Sequence, residues 1–279
     1  MRILLTNDDG ILSPGLAAMA RVLRKMGDVT IAAPASEQSG VGQAITFLHP
    51  LTMKDVYRDG AFWGTAVEGT PVDCVKIGTA RLVPEKPDMV VSGMNNGLNA
   101  GANILYSGTV AAALEGAFLG IPSYAVSLQY SEKRDDSRIE KAAELALAVI
   151  QALHTTPRRG IVMNINIPFS VLDQPPQMQK IAFVPTDRTP YWTEYDERRD
   201  PTGRRYYWLA GRPDYKRIID SATDFGAVTH DAVAVTPLSF DLTCQQTLDV
   251  LRNTPFENAA PDEPGPTEAA NLRMLRQID

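Results

Sequence analysis

Cysteine is nearly missing from this chain. Cys74 and Cys244 are its two thiols in 279 residues, too few for a disulfide framework and without the paired spacing of a zinc site. That usage fits a reducing compartment. Histidine is almost as rare: His49, His154 and His230 stand far apart, which argues against a His-rich zinc centre or a hydrolytic triad. Positive charge is short as well. The formal net charge is −6, whereas a chain that wraps nucleic acid needs clustered Lys and Arg to neutralise phosphates. No apolar run approaches the roughly 20 residues that cross a bilayer, and the N-terminus reads as a strand from Arg2 in place of a charged and apolar leader. A cytoplasmic protein is the expectation.

What is present is alternation. Strand-like runs at Ile3–Leu5, Val29–Ala33, Met89–Ser92, Tyr124–Leu128 and Ile161–Ile167 are separated by helical patterns at Pro14–Met26, Thr70–Ile77, Thr109–Leu119 and Ser137–Leu153. Thr70 reads as a cap with Pro71 in the first turn. Strands alternating with helices indicate βαβ units and an α/β fold, a mostly parallel sheet covered on both faces. A β-rich excursion from about Ala44 to Ala66, with a turn at Arg58-Asp59-Gly60, interrupts the pattern. Past Lys180 the character changes. Aromatics and Arg gather in RTPYWTEYDERRDPTGRRYYWLAG, and Pro201-Thr202-Gly203 predicts the turn of a long β-hairpin arm. Such an arm cannot bury its faces alone, so it is expected to pack on a second subunit. Asp231–Leu238 reads as one more strand, Ala260–Pro266 as a Pro-rich link, and Glu268–Arg276 as a final helix.

Four loops carry candidate chemistry. Asp8 and Asp9 in TNDDG follow the first strand, where ligands bind in a parallel sheet. Two carboxylates about 5 Å apart repel by roughly 3 kcal/mol at an effective dielectric of 20, so the pair serves either as a plain turn or as a cation anchor. SEQSGVGQ, with Ser39 and Gly40, follows the second strand and is either a polar loop or an approach to an anion or cation. VVSGMNNGLNAG places Asn95, Asn96 and Asn99 among glycines; amide oxygens are hard, uncharged ligands, and glycines let backbone N–H groups approach an oxyanion. YSGTVAAALEG opens a helix with Ser107, Gly108 and Thr109, either an ordinary cap or an anion site. Oxygen ligands and anion holders together favour Mg²⁺ or Mn²⁺ over zinc and point to phosphate chemistry.

TNDDG, the Ser-Gly pair of the second loop, EGTPVDCV, VVSGMNNGLNAG, YSGTVAAALEG, NINIP and VTPLSFDLT occur in this order, and in this the chain resembles the SurE (survival protein E) family. The resemblance implies a Rossmann-like three-layer core in a domain over residues 1–243: the core reaching about residue 180, a β-rich arm over 181–243, and a tail at 244–279 of unassigned role. It implies a metal-dependent phosphatase of nucleoside 5′- and 3′-monophosphates, with some relatives cleaving short polyphosphate. Carried over by motif, one divalent ion per subunit would be held by Asp8, Asp9, Ser39 and Asn95. An aspartate would take the proton from water, and Gly40, Asn96, Asn99, Ser107, Gly108 and Thr109 would contact phosphate. A homodimer or homotetramer through the C-terminal arm is expected. The segment THDAVAVTPL lacks the Gly-Tyr pair usual before this strand. Two rivals stand beside this reading: a non-catalytic nucleotide-binding protein on the same scaffold, and a nicotinamide-dependent oxidoreductase. The second is disfavoured because the NDDG carboxylates would repel a pyrophosphate.

Overall fold

The computed structural model describes residues 1–130, 135–154, 160–175, 178–189, 194–209 and 222–254. The chain divides into two units, Met1–Phe240 and Asp241–Asp279.

In the first unit, β1 (Arg2–Thr6), β2 (Asp28–Pro34), β3 (Met53–Arg58), β4 (Ala61–Val67), β5 (Met89–Asn96), β6 (Ser123–Leu128), β7 (Ile161–Ile167), β8 (Lys180–Phe183) and β11 (Ala232–Ser239) form one sheet. Its order is β3-β4-β2-β1-β5-β6-β7-β11-β8. The β4-β2-β1-β5-β6-β7 ladder is parallel throughout, while β3 and β11 run antiparallel to β4 and β7. Helices α1 (Pro14–Leu23) and α4 (Asp136–His154) cover one face, where Leu16, Met19 and Ile150 pack on Ile3, Leu5 and Val91. Helices α2 (Pro71–Ile77) and α3 (Gly108–Phe118) cover the other, with Val75 and Ala112 on Leu4 and Val90. The central strands β1, β5, β6 and β7 are largely buried, which is why they read as continuous apolar runs, whereas the edge strands β3 and β8 are largely exposed. This is the α/β, mostly parallel architecture expected from the alternation.

Local chemistry sets the elements. Thr70 caps α2 in a reciprocal box, its hydroxyl accepting from the Asp73 N–H while Asp73 accepts from the Thr70 N–H. Asp59 and Gly60 both take positive φ in the two-residue turn between β3 and β4. The excursion is strand only from Met53 onward. The Thr46 N–H is taken by the Asp73 carboxylate and the Ala44 carbonyl by the Thr70 hydroxyl, so this segment pairs with a helix cap, and Phe47 and Leu48 stay exposed. Helix α1 ends at Leu23, three residues before the sequence pattern does.

β9 (Tyr195–Arg199) and β10 (Arg205–Leu209) make the antiparallel hairpin around Pro201-Thr202-Gly203, with Tyr195, Tyr207, Trp208 and Leu209 exposed. Two short helices, α5 (Phe169–Leu172) and α6 (Asp224–Thr229), follow β7 and precede β11. In the second unit, α7 (Gln245–Arg252) carries a Gln245–Asp249 side-chain hydrogen bond one turn apart. The Pro-rich link and final helix of the sequence reading lie outside the described residues. No helix among those described is long and apolar enough to cross a membrane.

Candidate functional site

The chain leaves β1 for a strand on one side and later adds β5 on the other, so β1 and β5 flank the point where strand order reverses. Crevices form there, beyond the carboxyl ends of the strands. The Asn7–Gly10 turn sits at this crest. Asn7 donates from its amide to the Gly10 carbonyl and to the Ser13 hydroxyl, and Ser13 caps α1 by accepting from the Leu16 N–H. The turn is thereby bolted to the helix behind it, and Asp8 and Asp9 project from a fixed frame.

Asp8 is buried. One of its oxygens accepts the Thr109 N–H at 2.9 Å and the other accepts the Thr109 hydroxyl at 2.5 Å. Thr109 lies in the first turn of α3, and Ser107 caps that helix by accepting the Val110 N–H. Gly108 is needed for the approach: a Cβ there would lie 2.9 Å from the Asp8 Cβ. Burial still raises the Asp8 carboxyl above its ordinary value, with the Thr109 bonds opposing it and the charge of Glu37 adding to it. Asp9 is pushed up to about 6 by burial and then by the Asp8 charge, against one N–H from Asn96 at 3.3 Å.

The loop after β2 reaches the same place through its main chain. The Gln38 N–H donates to the Asp8 carbonyl and the Gly42 N–H to the Tyr106 carbonyl. Between these ties Ser39 donates to Glu37 at 2.6 Å. On the other side, β5 continues past Ser92 to Asn96, with a register irregularity between Ser92 and Asn95. Gly93 makes that possible: its φ is +129° and a Cβ would lie 2.3 Å from the Val126 carbonyl oxygen. Asn95 donates its amide to the Gly97 carbonyl at 2.7 Å, which leaves its carbonyl oxygen as the free end.

The Asn99 turn is held from β7. Asn166 accepts the Asn99 N–H at 2.8 Å and, with Asn164, donates to the Asn99 carbonyl. The Asn99 amide donates to Ser127, and the next turn is fixed by Asp224 accepting the Gly101 N–H.

Asp8, Asp9, Ser39, Gly40, Asn95, Asn96, Asn99 and Ser107 line one polar pocket of about 390 Å³. Gly108 and Thr109 stand behind Asp8 and do not line it; both Thr109 donors are spent on the carboxylate. Sequence reasoning missed Glu37, Asn103, Tyr106 and Tyr130, which share the lining. The signal available for Glu37 and Tyr106 was adjacency, two residues before Ser39 and one before Ser107. The residues fit a divalent cation by their chemistry: two carboxylates whose ionisation burial opposes, one hydroxyl and one oriented amide oxygen. Among the described residues no group of three or more His, Cys, Asp or Glu is placed to hold a metal.

Comparison with known proteins fits this geometry. Residues 3–192 match the family described as survival protein SurE. A protein of Rhodopirellula baltica named 5′-nucleotidase SurE is 47% identical over 91% of this chain and 98% of its own. One so named from Syntrophobacter fumaroxidans is 43% identical over 90% and 98%, and 5′-nucleotidase SurE 1 of Thermus thermophilus is 42% identical over 94% and 100%. The crystal structure of the SurE protein from Aquifex aeolicus superposes with a TM-score of 0.77 at 34% identity, covering 90% of this chain and 98% of that one.

Proposed function

The chain belongs to the survival protein SurE family, and from that premise we infer that it is a 5′-nucleotidase, releasing inorganic phosphate from nucleoside 5′-monophosphates. The observation that carries the chemistry is the convergence of Asp8 and Asp9 with Ser39, Asn95, Asn96, Asn99 and Ser107 in one polar pocket.

The family implies a divalent metal, and Asp8, Asp9, Ser39 and Asn95 are the residues that would hold one ion, Mg²⁺ or Mn²⁺. Such an ion supplies positive charge against phosphoryl oxygens and lowers the pKa of water. Thr109 bonds both oxygens of Asp8 and fixes the orientation of this carboxylate where it lines the pocket. Burial and the Asp8 charge push the Asp9 carboxyl up to about 6, and Asp8 is raised too, so one of the two aspartates would take the proton from water. Asn99 and Ser107, with Gly40 and Asn96, supply neutral polar groups around the phosphoryl oxygens. Gly108 and Thr109 serve that grip indirectly, through Asp8. Cleavage of 3′-monophosphates and short polyphosphate, assembly into a homodimer or homotetramer through the hairpin arm, and a cytoplasmic location complete the reading.

The test is phosphate release from AMP and GMP after chelator treatment, then after Mg²⁺ or Mn²⁺ is added back, beside Asp9→Asn. Release restored by metal and lost in Asp9→Asn supports it. Full activity in excess chelator overturns the metal-dependent mechanism. No release from either nucleotide with metal bound would favour the non-catalytic nucleotide-binding alternative.

A further inference from the structure

Asp224 is fully buried, and its carboxylate accepts three main-chain N–H groups. One oxygen takes the Gly101 N–H at 2.9 Å. The other takes the Asp187 N–H at 2.9 Å and the Phe225 N–H at 2.8 Å. A buried carboxylate is costly unless donors surround it. Helix starts elsewhere in this chain are capped by a hydroxyl alone, as at Ser13 and Ser107. A charge at Asp224 is accounted for by the number of segments it joins.

Two of these segments are the feet of the hairpin arm. The chain leaves for β9 past Asp187 and Thr189, and it has returned by Thr223 on its way to β11. Asp187 accepts the Thr189 N–H at 2.6 Å and the Thr223 hydroxyl at 3.0 Å, and the Asp224 N–H donates to the Pro185 carbonyl. The feet are thus clasped to each other. The third segment belongs to the polar pocket. Gly101 begins the short 3₁₀ turn Gly101–Leu105, between Asn99 and Asn103, which both line that pocket. The turn is seated as well as tied: Gly101 has a φ of +56°, and a Cβ there would lie 2.6 Å from the Phe225 ring.

The residues on the cation side are held by other bonds. Thr109 fixes Asp8, the Gly97 carbonyl fixes the Asn95 amide, and the Ser39 loop is tied through its main chain to Asp8 and Tyr106. None of these ties passes through Asp187 or Asp224. The two sides of the pocket therefore have separate supports.

We propose that Asp224 is a positioning residue for phosphate binding: it makes residues 99–103 answer to the base of the hairpin arm and leaves the cation side alone. The inference rests on the nucleotidase reading for taking phosphate as the ligand of this pocket. A change at the base of the arm, outside the pocket, then reaches bound phosphate and does not reach the metal.

Three variants test this. Asp224→Asn keeps the shape but can accept on only one side. Asp187→Ala cuts the ties to Thr189 and Thr223 and leaves every pocket residue in place. Ile150→Val, in the α4 core, is a chain destabilised elsewhere. Calorimetry would read Mn²⁺ titrated into each protein, and inorganic phosphate titrated into each Mg²⁺-saturated protein. Phosphate affinity should fall about 3- to 30-fold in the first two variants, with Mn²⁺ affinity unchanged. The double variant should lose less than the two losses combined, because both act through one turn. Ile150→Val should leave both affinities at the wild-type level. Unchanged phosphate affinity in the two aspartate variants overturns the proposal, as do equal losses of phosphate and Mn²⁺, fully additive losses, or the same phosphate loss in Ile150→Val. Should Asp224→Asn fail to fold, Asp187→Ala beside Ile150→Val decides the matter alone. Phosphate release from AMP by the wild type is read separately, so a chain that binds phosphate in this way and releases none refutes the activity and keeps the coupling.

Discussion

Thr109 gives both of its donors to Asp8, the backbone N–H to one carboxylate oxygen and the hydroxyl to the other. The helix that follows β5 thereby sets the orientation of a carboxylate that follows β1, across 101 residues of sequence. Charge-assisted bonds of this kind favour the ionised acid, and here they oppose the burial that raises its pKa overall.

Removing the hydroxyl should therefore weaken metal binding without unfolding the protein. Thr109→Val is expected to lower Mn²⁺ affinity and kcat/KM by roughly 10- to 100-fold, and Thr109→Ser to restore most of both. Calorimetric titration of Mn²⁺ into the two variants checks this. Equal loss in the serine variant would show that the hydroxyl bond to Asp8 does not by itself account for the effect.

Asp9 yields a prediction with a definite sign. Its folded-state carboxyl, near 6 in the metal-free chain, is above the unfolded value of about 3.9. The protonated form is favoured by folding, so its contribution is present below about pH 4 and is lost as pH rises through about 6. In chelator, Asp9→Asn should raise Tm at about pH 7.5, and the gain should shrink as the pH is lowered toward about 4. Thermal melts across that window decide the matter; a gain independent of pH would refute it.

The asparagines of β7 act at a distance from the reaction. Asn166→Ala leaves the Asn99 N–H without its acceptor inside the protein, and stability should fall by about 1–3 kcal/mol. Activity should fall further than stability explains, since the Asn99 turn loses its register. Urea unfolding beside steady-state kinetics at a temperature where the variant is fully folded separates the two effects.

On the hairpin, Trp208 and Leu209 are exposed and apolar. If they are the subunit contact, Trp208→Glu with Leu209→Glu should lower the mass measured by light scattering toward that of a single chain. Neither side chain is buried within its own chain, so far-ultraviolet circular dichroism should not change.

Much of this architecture could be read from residue order. Buried parallel strands announce themselves as short apolar runs, and Thr70-Pro71 or Ser13-Pro14 mark where helices begin. The part that could not be read is tertiary. Met94, Asn95 and Asn96 have little strand preference, yet β5 runs to Asn96 because Asn95 and Asn96 pair with Ser127 and Leu128 of β6. The segment at Ala44 looked like strand because Ile45, Phe47 and Leu48 are apolar, but its backbone bonds go to the α2 cap. At the site, the short polar motifs were visible because Asp, Asn, Ser and Gly cluster only where the backbone turns or a ligand is held. Asp224 was invisible for another reason: Thr223-Asp224 has the local pattern of an ordinary helix start, and its tie to Gly101 spans 123 residues.

The strand beside Asn166 comes from far down the chain, for Ala234 of β11 is its antiparallel neighbour. A ribosome releases the carboxylate turn, the loop after β2 and the whole of β5 long before β11 exists. Until then one edge of β7 bares unpaired N–H and C=O groups, a template for other chains, and the Asn99 turn hangs from a strand with nothing on its far side. Translation that stops short of Ala232 thus delivers every residue of the polar pocket together with an open sheet edge. Such a product is work for chaperones and proteases, not a smaller enzyme.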